Sequence, residues 1–194
     1  ELLDVDQKTI IRYEHGDVEP PMSSMEALSS VLSFPQSFFY GPELDEPMAE
    51  AASFRSLSSM SVRDRDAALA AGAFAFMLSD WVHERFTLPA HDLIDCKEGY
   101  DPETAARALR QHWGLGERPV QNVVHMLEAK GVRVFSLAEN TQAVDAFSMW
   151  RRDVPFVFLN TTKTAERSRF DAVHELGHLV LHRHGGPHGG REVE

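Results

Sequence analysis

The hydrophobic period of this chain changes at one place, and that change limits the folds open to it. Up to Gly131 the apolar residues recur at helical intervals; beyond it they run at extended ones. "VRVFSL" (132–137) alternates as a strand does. "VDAFSMWR" (144–151) and "VPFVFLN" (154–160) read as a hairpin turning at Arg152-Asp153. The helical period returns at Thr164 and runs to about Arg183, where "RHGGPHGG" breaks it. Helices, then three strands, then a closing helix make an α+β arrangement with a small mixed or antiparallel sheet.

The helices before the strands carry local start and stop signals. Ser61 and Asp64 approximate a capping box for a long helix reaching Leu88, where Pro89 stops it. Phe74, Met77, Leu78, Trp81 and Val82 of that helix are expected in the core. Asp101 caps a second helix with Pro102 at its first position, and Gly114 and Gly116 end it. Pro119 is expected to open a third, which Gly131 closes. Residues 1–43 read as short helices joined by turns. Residues 44–60, with proline, serine and weak periodicity, read as a linker, leaving 61–194 as one α+β domain.

With 194 residues, 43% of them hydrophobic, the chain holds one medium domain or a small one plus a second piece. A net charge of -11 excludes a chain devoted to coating phosphates but leaves room for a local DNA-reading face. The one cysteine, Cys96, excludes an intramolecular disulfide framework and fits a reducing, cytoplasmic setting as an inert thiol. The longest apolar run, 67–78, is too short to span a membrane, and no signal peptide is visible. The chain starts at Glu1 inside an organised pattern and reads as a fragment.

The last helix carries "HELGH", with His174, Glu175 and His178. Residues four apart project from one helix face, so His174 and His178 can present two imidazole nitrogens to a single zinc ion at about 2.0–2.1 Å. Glu175 lies roughly 100° around the helix from His174 and reaches a water on the metal without ligating it. It suits the general base of zinc-assisted peptide hydrolysis, and afterwards the acid for the leaving amine. Such a site needs a third protein ligand. His184 has the spacing of an extended motif, but Leu181 stands where that motif requires glycine. His182 lies one more turn along a straight helix and cannot converge with the other two. The terminal "REVE" offers Glu192 and Glu194 for a set of two histidines and one glutamate. His83, His91, His112 and His125 are expected at surface or structural positions, and Arg167 and Arg169 as solvated arginines.

"RFDAVHELGHLVLHR", preceded by "VPFVFLN", resembles the ImmA/IrrE family of zinc metallopeptidases. The resemblance runs from about Met60 to the end and is most specific between Gly131 and His182. It implies a zincin-like fold, a metal site similar to that of thermolysin-like enzymes, and cleavage of a protein partner such as a repressor. It also places the third ligand on a glutamate early in the following helix. Glu194 is the best match and Glu192 the second, although the alanine-rich stretch that follows in the family is absent.

Such proteins often carry a repressor-type (XRE) helix-turn-helix, and "LLDVDQKTIIRYEHGDVEPPMSSMEALSSVLSFPQSFF" resembles one lacking its first helix. Leu3 and Val5 would pack the turn, and Asp6 would cap a recognition helix through Tyr13. Glu14, Gly16 and Pro20-Pro21 match the rest of the pattern. The resemblance implies Gln7, Lys8 and Thr9 at base edges and Arg12 toward phosphate, with glutamine able to pair with adenine. Residues 1–43 hold only Lys8 and Arg12 against eight acidic residues, so non-specific DNA affinity should be weak. The expected protein is a transcriptional regulator with a zinc peptidase domain, bound to operator DNA and a partner repressor. The alternatives are a regulator whose zinc domain senses a ligand or partner without proteolysis, and a zinc-independent scaffold. The N-terminal piece serving as a dimerisation module is a further alternative, which makes a homodimer possible.

Overall fold

A computed structural model of the chain describes residues 5–47, 61–96, 100–137 and 145–182. It divides into two compact units, Glu1–Glu43 and Leu44–Glu194. In the first, α1 (Gln7–Glu14) and α2 (Met22–Leu32) are followed by a 3-10 turn, Gln36–Tyr40. Asp6 caps α1 by accepting the Thr9 N–H at 2.7 Å. The chain leaves α1 through Gly16 at φ 72°, and Pro21 leads into α2. Met25 is the buried anchor of α2, and the rings of Phe34 and Phe38 stack 4.5 Å apart beyond it.

The second unit contains α3 (Val62–His83), α4 (Pro102–His112), α5 (Val123–Ala129), β1 (Arg133–Ser136), β2 (Ala146–Arg151), β3 (Val154–Leu159) and α6 (Ala165–Leu181). The sheet order is β1-β3-β2, with β3 parallel to β1 and antiparallel to β2. The sheet is therefore mixed and the fold is α+β. At the hairpin turn Arg152 takes φ 55°, the left-handed backbone that a two-residue turn between right-twisted strands demands.

Alternation along β2 and β3 sends side chains to two different cores. Phe147, Met149, Phe156 and Phe158 meet Ala68, Ala75 and Phe76 of α3. Ala146, Val157 and Leu159 meet Leu109 of α4, Leu127 of α5 and the Ala172, Leu176, Leu179 and Val180 ridge of α6. The helix carrying "HELGH" is thus seated on the sheet by four apolar residues.

The first long helix departs from the sequence expectation in two ways. It ends at His83 and not at Leu88. Arg85 folds back there, donating to the Trp81 carbonyl at 3.0 Å while its guanidinium covers the indole at 4.3 Å. The assigned core face also holds only in part: Phe74 and Val82 are half-buried, but Met77, Leu78 and Trp81 are 46%, 49% and 50% exposed. The buried face is Ala68, Gly72, Ala75, Phe76 and Ser79. The reason is bulk. The sheet already supplies three phenylalanines, so the helix approaches on its small residues, and a Cβ on Gly72 would lie 2.6 Å from Pro47 Cγ.

Residues 44–47 lie with this unit. Arg151 on β2 donates to Asp45 at 2.7 Å and grips Asp80 of α3 with two bonds of 2.7 and 2.8 Å. Helix α5 starts later than the proline suggested. Asn122, not Pro119, is its cap, accepting the His125 N–H at 3.0 Å. Gly131 closes it at φ 77°, and a Cβ there would collide with the Ala90 carbonyl and His91 backbone. Only glycine permits that turn into β1.

Candidate metal centre

Helix α6 begins at Thr164, whose side chain accepts the Arg167 N–H, with Glu166 in the first turn where the helix dipole favours an acid. Burial of Ala172, Leu176, Leu179 and Val180 fixes the rotation of the helix. That rotation leaves Phe170, Val173 and His174 exposed and His178 half-buried. The two histidines converge, with Nε2 atoms 3.2 Å apart and ring planes at 89°. Two nitrogens held at 2.0–2.1 Å by one tetrahedral ion stand about 3.3–3.4 Å apart, so the pair already has the separation of a chelate. Ligand atoms of His174, Glu175 and His178 all lie within 4.8 Å of one another. His182 is exposed, its ring 5.7 Å from that of His178, and it is not part of that cluster. Glu192, Glu194 and His184 lie outside the described residues. The donors present, two imidazoles beside a carboxylate, suit a divalent ion of the zinc class.

Glu175 is buried at 3% exposure, and its Oε2 accepts the Ser148 hydroxyl at 2.7 Å. Ser148, on β2, is itself only 2% exposed. No sequence motif singles out this serine. A signal was there: Ser148 falls in register with Ala146 and Trp150 on the face turned to α6, a polar side chain in an apolar row. Trp150 adds a second tie by donating its indole N–H to the Leu179 carbonyl at 3.2 Å.

The arginines before the motif are not simply solvated. Arg167 joins Asp145 at 2.9 Å to buried Asp171 at 3.2 Å, and Lys163 also pairs with Asp145. Arg169 donates to the carbonyl of Val120. Phe170 lies parallel to the His174 ring at 6.2 Å. The remaining histidines have structural or surface places. His91 packs edge-on against Trp150, His112 bonds Asp92 at 2.6 Å, and His83 and His125 are exposed. Cys96 is buried, and that burial, helped by Asp95, pushes its thiol up, away from the reactive thiolate. A groove of about 830 Å³ runs between α4, the 113–120 loop, α5 and α6, with His174 and His178 on its wall.

In the first unit, Gln7, Lys8 and Arg12 are exposed on α1 and Thr9 is half-buried. Hydrogen bonds from the Thr9 side chain and then its N–H hold the Asp6 carboxyl below the usual carboxylate range. Thr9 therefore serves the helix cap.

Residues 127–193 match a family model, that of the IrrE N-terminal-like domain, Peptidase_M78. The matched stretch starts in α5 and takes in the three strands and the α6 histidines, so the IrrE-like segment and the chelating geometry coincide. No curated protein and no solved structure matches the chain. Among the described residues, no helix is long and apolar enough to cross a membrane.

Proposed function

We propose that the IrrE-like segment is the core of a zincin-like, zinc-dependent peptidase that cleaves a protein partner, within a DNA-binding transcriptional regulator of the cytoplasm. The observation that carries this reading is the 3.2 Å approach of the two Nε2 atoms beside the Glu175 carboxylate. His174 and His178 would hold the ion, with Glu194, or else Glu192, as third ligand. Bound zinc supplies a Lewis acid that polarises the scissile carbonyl and acidifies water. Glu175 takes the proton of the attacking water on its carboxylate and returns it to the leaving amine. Ser148 holds one oxygen of that carboxylate and so fixes the direction of the other. Gly177 leaves open space beside the histidines, since a Cβ there would meet nothing within 4 Å.

Gln7 and Lys8, exposed in the first turn of α1, support operator contact there, with Thr9 beside them and Arg12 toward phosphate. The scarcity of cations in residues 1–43 makes affinity depend on base contacts more than on charge. Loss of operator capture in Gln7→Ala, measured by fluorescence anisotropy, tests this.

Elemental analysis and a cleavage assay on a neighbouring repressor test the peptidase. Glu175→Gln should keep stoichiometric zinc and lose cleavage, whereas His174→Ala should lose both. Undiminished cleavage by Glu175→Gln sinks the mechanism. The burial of Glu175 favours one second reading, a regulator whose zinc domain binds a ligand or partner without hydrolysis. Effector-dependent operator binding with no cleavage of any neighbouring repressor would select it.

A further inference from the structure

We infer that the groove beside the histidine pair is the subsite for a large apolar side chain of the protein substrate, next to the bond that is cut. This assignment rests on the peptidase reading above. At about 830 Å³ the groove falls within the usual range of built ligand sites. Leu109 and Val123 are buried and line it, and Trp113, Val120 and Met126 are only partly buried. Val173, immediately before His174, lines it as well and is 50% exposed. Water thus reaches a contiguous apolar surface beside the metal pair, a feature that marks binding sites.

Arg110, Trp113 and Arg169 of the wall are already committed, whereas Glu117, Arg118 and His182 also line it and are exposed. Arg110 donates to the carbonyls of Gly116 at 2.8 Å and Arg118 at 2.6 Å, and Arg169 donates to that of Val120. The Trp113 indole N–H is spent on the Asp92 carbonyl at 2.7 Å. These bonds fasten the 113–120 loop as a fixed wall and occupy two of the three arginines that line the cavity. Glu117 and Arg118 offer charges of opposite sign, so the wall favours neither charge, and an aliphatic or aromatic side chain finds surface to cover. No side chain at Gly177 blocks the approach from the histidines.

The test titrates the full chain, loaded with zinc, with capped peptide hydroxamates differing in one side chain: methyl, isobutyl, benzyl or carboxymethyl. Each buried methylene should tighten binding about fourfold, so isobutyl should exceed methyl on the order of 50-fold, with carboxymethyl weakest. The Met126 methyl signal in NMR should shift with the isobutyl probe, a readout independent of hydrolysis. Ala106→Trp, at an exposed position of the groove wall, should collapse the preference while zinc remains stoichiometric. Equal affinities across the series in a zinc-loaded chain overturn the subsite and leave the metal centre standing. A preference that survives Ala106→Trp with Met126 unmoved also overturns it. A chain that discriminates the side chains yet binds no zinc overturns the peptidase reading, and with it the link between the groove and a cleaved bond.

Discussion

The bond between Ser148 and Glu175 joins the sheet to the catalytic candidate, and Ser148→Ala removes it. The substitution removes one oxygen from a site only 2% exposed, so hardly any cavity follows. The loss is a 2.7 Å hydrogen bond to a carboxylate that is 3% exposed, with a weaker 3.3 Å bond to the Glu175 backbone carbonyl that is lost equally in both backgrounds of the cycle below. Hydrogen bonds to charged groups contribute about 1.5–3 kcal/mol, so about 2 kcal/mol of stability should go. For a domain of this size that is a fall in Tm of roughly 4–8 °C. A double-mutant cycle with Glu175→Gln makes the test specific. Against a neutral amide the same bond is about half as strong, so Ser148→Ala should cost about 1 kcal/mol in that background. Urea unfolding of the four proteins gives all the terms. An equal cost in both backgrounds, or less than about 0.5 kcal/mol in the parent, refutes the claim that Ser148 holds the Glu175 carboxyl group. Neither change touches a histidine, so zinc should stay bound in Ser148→Ala while cleavage falls about 10- to 100-fold.

The exposed and buried faces of α3 should separate in the same assay. Phe76→Ala, which empties a site at 2% exposure, should cost about 3–5 kcal/mol, and Leu78→Ala, at 49% exposure, less than about 0.5. Comparable losses would reverse the assignment of the faces. Asp80 supplies a pH dependence. The hydrogen bonds from Arg151 hold its carboxyl below the usual range, against the opposing effect of burial. A depressed folded pKa stabilises above the unfolded value of about 3.9 and is lost as pH falls through the folded one. Asp80 is half exposed, so Asp80→Asn should cost no more than about 1 kcal/mol at pH 7. That difference should shrink below about pH 4; a constant difference down to pH 2 would contradict it.

What the sequence determined alone was local. The caps Asp6, Ser61, Asp101 and Thr164 each accept a backbone N–H two or three residues ahead, so the residues themselves specify the helix starts. The strands followed from alternation, the Arg152-Asp153 turn from the break between two apolar runs, and the histidine pair from the pitch of one helix. Pro119 misled because a better cap, Asn122, lay three residues on. The tertiary structure decided everything that needed a distant partner. Which face of α3 is buried depended on the three phenylalanines the sheet had already placed there. Ser148 acquired a role only when β2 set it against Glu175, 27 residues away. The groove has a wall because Arg169 reaches the Val120 carbonyl across 49 residues. Hydrogen bonds within a turn are fixed by backbone geometry and show in the spacing of residues. Contacts between elements depend on which surfaces fit, and only the packed chain reveals that.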